Sequence, residues 1–216
     1  MSEDDAQPAP PEHTEGLTAE ARYRLLLELS RKVRGTLDLG ETLDRLLDLV
    51  RSIVEYDAAG IFVLNEDVLA GERRRGMIAG VAQRGFPARP LEADPMLFRG
   101  EGITGHVIRT GECVVASDVR LDSRYVVGRA STLSEIAVPI TVEGRSIGAL
   151  NLESDRLGAF GERHLEAVRF FAEAAAVAID KAMLHRGLLE KQKLEAQLRV
   201  AHQVQSRLLP QAPPAL

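Results

Sequence analysis

Tryptophan is absent from this 216-residue chain, and a single cysteine, Cys113, occurs in it. One thiol excludes an internal disulfide and a Cys-rich zinc site, and it fits a reducing compartment, so the expected location is the cytoplasm. Aromatic residues are only 4% of a chain that is 45% hydrophobic, which leaves the core to Leu, Val, Ile and Ala. No apolar run approaches the roughly 18 residues of a membrane span. The acidic, Pro-rich start lacks the basic and apolar regions of a secretory signal. Basic residues are not in excess either: the net charge is -5, with no surplus of Lys and Arg to neutralise phosphates, so nucleic acid is excluded as an expected partner.

What is present alternates between two periods. Apolar residues at helical spacing run through Leu17 to Val33, and a second helix after Gly40 gathers Leu43, Leu46, Leu47, Val50, Ile53 and Val54 on one broad face. From Asp57 the pattern shortens to strand-like runs: Ala58 to Leu64, Gly76 to Gln83, Cys113 to Ala116, Glu135 to Val142 and Ser146 to Glu153. The charged stretch 65–75 separates the first pair, which reads as a hairpin, and Glu143-Gly144-Arg145 turns the last pair. Gly102 to Thr110 reads as a short helix. Helical character then runs from Gly161 to Leu209, with an alanine-rich stripe (Ala172, Ala175, Ile179, Ala182) followed by Leu184, Leu194, Leu198, Ala201 and Leu208 in seven-residue phase. Gly187 and Lys191 break that phase, and Pro210 ends the helix. Mixed strands and helices of this kind predict an α/β (α+β) domain with an antiparallel sheet.

Few residues carry obvious chemistry. Gly100-Glu101-Gly102-Ile103-Thr104-Gly105 matches the spacing of a dinucleotide fingerprint. Barely two helical turns fit between Gly105 and the strand at Cys113, too few for a parallel crossover, and Glu101 would repel a pyrophosphate. A sharp glycine loop entering a short helix is the expected role. Cys113 begins an apolar run and is expected to be a buried thiol rather than a redox centre. His13, His106, His164, His185 and His202 lack metal-ligand spacing, so no metal is expected. No nucleophile elbow or phosphate-binding loop occurs, and Asp118, Asp122 and Glu135 stand on different elements.

One set of ordered blocks goes further. Gly100 to Val107, Thr110-Gly111-Glu112, Ser117-Asp118-Val119, Asp122 to Tyr125, Ile136 to Ile140, Gly144 to Glu153 and Ala159-Phe160 together resemble the signature of GAF domains, over about residues 20 to 185. The resemblance implies a sheet of five or six antiparallel strands with helices on its faces, and a ligand held between one face and the short helices of residues 98–134. On that basis Phe98, Ile103, Thr104, Val107, Tyr125 and Glu135 are the expected ligand-binding residues. The ligand and any cofactor stay unknown: the N-K-F-D-E signature of cyclic-nucleotide-binding members is missing, Cys113 does not match a bilin-attachment position, and one cysteine is fewer than methionine-sulfoxide reductases of this fold need. Separately, Leu198 to Pro210 resembles the linker helix preceding the catalytic domain of SpoIIE-like, PPM-type serine/threonine phosphatases that regulate bacterial sigma factors.

These readings divide the chain into a disordered tail (1–16), an N-terminal helix (17–38), a GAF domain (39–183), a signalling helix or coiled coil (184–209) and a linker (210–216). The expected function is a non-catalytic sensory module. It forms a homodimer through its N- and C-terminal helices and relays a small-molecule or partner signal to a downstream phosphatase domain in the same protein. The alternatives are a GAF-fold enzyme acting through Cys113 or His106, and an input domain for a histidine kinase or cyclase.

Overall fold

A computed structural model describes residues 39–64, 78–86 and 100–208. The tail, the expected helix Leu17 to Val33, Phe98 and the segment from Leu209 onward lie outside the described residues.

Helix α1 spans Leu39–Arg51, with Glu41 in its first turn and Arg51 in its last, both matched to the helix dipole. Leu43, Leu46, Leu47 and Val50 recur at helical spacing, and each is at most 1% exposed, so this stripe is the face the sheet receives. Five strands follow: β1 (Ala58–Leu64), β2 (Ile78–Arg84), β3 (Val114–Ala116), β4 (Ser134–Val142) and β5 (Arg145–Ser154). Their order is β2-β1-β5-β4-β3, with every pairing antiparallel. The turn at Glu143-Gly144 closes the β4–β5 hairpin where the sequence places it. The insertion of β5 between β1 and β4 is a non-local pairing that no local pattern announces.

The two-residue period of the strands sorts their side chains. Ala59, Ile61 and Val63 of β1, Ile136, Val138 and Ile140 of β4, and Leu150 and Leu152 of β5 join α1 in one apolar cluster. The long helix α3 (Glu162–Leu208) adds Val168, Phe171, Ala172, Ala175 and Ile179 to it. On the other face lie Phe62, Ala137 and Ala149, covered by Ile103, Val107 and Ile108 of helix α2 (Gly102–Thr110), by Val114 and Ala116 of β3, and by Val119 of a short 3-10 turn. α3 starts in the core and leaves it. From Leu184 to Arg199 every side chain is exposed, including Leu184, Leu188, Leu189, Leu194 and Leu198.

Candidate functional site

The site lies on the α2 face of the sheet, where the sequence places small and polar residues among the apolar ones. Glu135 and Glu153 are register partners across β4 and β5, so both side chains rise from the same face. Asn151, two residues before Glu153, points the same way, with Ala137 opposite it on β4 and Gly60 opposite it on β1. Small neighbours leave the room: a Cβ on Gly60 would stand 2.4 Å from the Phe62 ring and 3.0 Å from Asn151 Oδ1. Gly102, Ile103 and Thr104 of α2, with Phe62, Phe86, Val126 and Gly128, close a cavity of about 20 Å³ over the three polar residues. That volume is about what one water needs.

The glycine spacing at residues 100–105 explains how α2 reaches the sheet. Gly100 and Gly102 have φ of 75° and 86°, and a Cβ on Gly105 would fall 1.8 Å from the Gly100 carbonyl oxygen. The loop therefore folds onto the first turn of its own helix, and the Arg109 guanidinium donates to the same carbonyl. This is a packing motif that sets the N-terminus of α2 over the cavity.

Three polar groups are buried there without full satisfaction. Glu135 is 3% exposed and Glu153 4%. Thr132 Oγ1 donates to Glu153 Oε2 at 2.5 Å, and Asn151 Nδ2 donates to Glu135 Oε1 at 3.4 Å. Asn151 Oδ1 is buried with no hydrogen-bond partner among the described residues. Burial first, and then the neighbouring Glu153, hold the Glu135 carboxyl well above the usual carboxylate range, while burial also raises Glu153. At neutral pH the pair therefore retains a proton. Around it Arg124 pairs with Asp122 at 2.7 Å, and Arg129 with Asp155, where Nη2 donates at 3.3 Å while Nη1, 3.0 Å from Oδ1, is buried without hydrogen-bond geometry. Burial and the Glu153 charge push the Tyr125 hydroxyl up to about 12, so it stays a neutral group at the rim, 3.5 Å from the Arg129 carbonyl oxygen.

Of the residues expected from sequence, Ile103, Thr104 and Glu135 line the cavity. Val107, on the same helix, is fully buried in the apolar cluster beside it, and Tyr125 packs against that cluster. Phe98 lies outside the described residues. Asn151 and Glu153 went unmarked in the sequence because a strand-like run conceals polar residues, although their spacing two apart, on the face opposite Leu150 and Leu152, is the signal that finds them. Cys113 is half-buried against the opposite, α1/α3 cluster, and His106 is partly exposed on α2. A larger groove of about 590 Å³ runs past Cys113, Arg169 and Glu173. Arg169 and Glu173 are exposed, so nothing there matches the desolvated polar set on the other face. No cluster of metal-ligating side chains occurs among the described residues, and no described helix is long and apolar enough to cross a membrane.

The comparisons with known proteins bear on the fold that carries this cavity. A family model described as "GAF domain" matches residues 36–180. No curated protein matches the chain. Among solved structures, the free methionine-R-sulfoxide reductase from Neisseria meningitidis, in complex with its substrate, is similar at 19% identity with a TM-score of 0.61; 77% of this chain and 93% of that one are covered. The GAF domain of an Acinetobacter phosphoenolpyruvate-protein phosphotransferase is similar at 17% identity, TM-score 0.60, covering 77% and 97%. Residues 122 to 287 of a methyl-accepting chemotaxis protein are similar at 16% identity, TM-score 0.55, covering 72% and 97%. These findings correct one expectation. The reading of the chain as non-catalytic does not stand, because structures of this same fold include enzymes. The shortage of cysteines speaks only against one thiol chemistry.

Proposed function

The chain belongs to the GAF domain family, and on that premise we propose that it is a sensory module which takes a small ligand over Glu135, Asn151 and Glu153 and passes its state to α3. The observation that carries this is the incompletely satisfied polar set sealed beneath α2, since buried polar groups in a core normally find partners. β4 and β5 connect the two halves of the proposal, with Glu135, Asn151 and Glu153 on one face and Ile136, Leu150 and Leu152 against the helices on the other. A change in the sheet beneath a ligand thus bears on the packing of α3.

The output end rests on the leucines that α3 carries out of the domain. Val177, Leu184, Leu194 and Leu198 are 57–68% exposed and share one heptad phase. At about 1.5 Å per residue the stretch from Leu184 to Leu208 runs on the order of 35 Å. In our reading two copies pair in parallel along it, aided by the helix expected from the sequence over residues 17–38, and Gly187 and Lys191 mark where the pairing shifts. The resemblance of Leu198 to Pro210 to a phosphatase linker makes a serine/threonine phosphatase the output domain we assign. Sedimentation of the wild type and of Leu194→Asp/Leu198→Asp tests the pairing: a dimer that the double variant dissociates supports it, and a wild type monomeric at tens of micromolar defeats it. A thermal-shift screen with small metabolites tests the cavity, with hits lost in Ala137→Leu.

A second reading, catalysis in the same cavity, is favoured by the proton that the carboxyl pair holds. Incubation with free methionine-R-sulfoxide and a dithiol decides it: methionine formed by wild type and not by Glu135→Gln supports turnover, and none formed by either counts against this substrate.

A further inference from the structure

The cavity is rich in acceptors and poor in side-chain donors, and this deepens the binding reading, on which it rests. Asn151 directs its amide N–H to Glu135, which leaves Oδ1 unpartnered among the described residues in a residue 3% exposed. The hydrogen bonds to the glutamates fall on Glu135 Oε1, from Asn151 Nδ2, and on Glu153 Oε2, from Thr132 Oγ1, and Thr132 also serves the Tyr125 hydroxyl. Of the side chains that close the cavity, those of Phe62, Phe86, Ile103 and Val126 have no polar hydrogen, and Thr104 brings one hydroxyl. The surrounding arginines are each paired with an aspartate, Arg124 with Asp122 and Arg129 with Asp155. Yet Arg124 still acts on Glu135 and Arg129 on Glu153, and Arg129 Nη1 is buried without a hydrogen-bond partner among the described residues. Tyr125 is neutral at the rim. The titratable groups inside the cavity are the two glutamates, and the arginine–aspartate pairs around them modulate but do not replace their charge.

From this the geometry points to a ligand with a cationic, multiply N–H-donating head, an amidinium, guanidinium or primary ammonium, seated between Glu135 and Glu153 with one N–H on Asn151 Oδ1. A planar fork suits two carboxyls on adjacent strands, because guanidinium can place parallel N–H bonds on both. The N-terminus of α2 opposes a cation with about half a positive charge, which two carboxylates outweigh. Since the cavity is only about 20 Å³, the α2 wall must give way for any such head, and the ligand is small at this end.

The cation replaces the proton that the pair otherwise keeps, so binding releases that proton and strengthens as pH rises. Calorimetric titration of the 216-residue chain with methylguanidinium, ethylammonium, N-methylurea and acetate, each at low millimolar concentration, tests this. The expected result is binding of one or both cations only, tightening by up to about tenfold per pH unit while the pair still holds its proton, with one proton released in buffers of different ionisation enthalpy. Glu135→Gln and Glu153→Gln should each weaken it at least tenfold. Binding of N-methylurea or acetate in place of the cations would overturn the ligand class and leave the cavity as a binding site. Cation binding unchanged by pH and by both variants would overturn the assignment to these carboxyls. If no probe binds, the cationic class is overturned, and a metabolite screen that also gives no hit lost in Ala137→Leu shows that the binding reading itself fails.

Discussion

The two faces of one sheet are built to opposite specifications. Toward α1 and α3 the strands present Ile61, Ile136, Val138, Ile140, Leu150 and Leu152, large and apolar, each fully buried. Toward α2 the same strands present Ala58, Gly60, Ala137 and Ala149 around Glu135, Asn151 and Glu153. The first arrangement maximises apolar burial, at roughly 1.5 to 3 kcal/mol for each large side chain. The second gives up burial and desolvates two carboxyls, which lowers stability unless the arrangement serves something else. A fold that places its stability on one face can keep a ligand site on the other.

Breaking the packed face should have the largest effect. Phe171→Ala removes a fully buried ring between α3 and the sheet, and we expect a loss of about 3–5 kcal/mol in urea unfolding. Disturbing how α2 is seated comes next: Gly105→Ala sets a methyl against the Gly100 carbonyl and should cost about 1–3 kcal/mol while raising hydrogen exchange in α2 more than in α1. The smallest effect on folding belongs to the helix that has left the domain. Leu194→Asp/Leu198→Asp should leave the unfolding of the domain within about 0.5 kcal/mol when followed at a concentration where the chain is monomeric, since both side chains are solvent-exposed in the single chain.

This contrast also decides what the sequence could disclose. The packed face was legible because its residues repeat at two periods, 3.6 along α1 and α3 and 2.0 along β4 and β5, and burial enforces both. The observed ends of Gly102–Thr110 and of Ala58–Leu64 are those the pattern predicts. The run expected over Gly76 to Gln83 is a strand where it is described, Ile78–Arg84, one residue longer at its end, and the 3-10 turn at Val119–Leu121 has too few residues to show a period. On the α2 face the pattern is short of apolar residues, so Glu135 is legible through a family resemblance, and Asn151 and Glu153 are absorbed into a strand. Their partnership depends on β4 pairing with β5 in one register, and a shift by one residue would have sent all three to the other face.

The central claim is that the α2 face of the sheet holds a carboxyl pair kept partly protonated by burial, and thermal unfolding of wild type and Glu135→Gln from pH 4 to pH 9 tests it most directly. A carboxyl whose folded pKa is raised contributes stability that is complete below its unfolded value, about 4.3, and is lost as pH rises through the folded value. Asp57, whose hydrogen bonds lower its pKa, acts in the opposite direction but equally in both proteins, whereas Asp122 acts on Glu135 directly, so the difference between the two curves reports the pair together with that neighbour. The account predicts curves whose separation is smallest near pH 4 and widens steadily with pH, with Glu135→Gln more stable by on the order of 1 kcal/mol or more on the alkaline side. Curves that run parallel over the whole range, or a variant that loses ground as the pH rises, would contradict it.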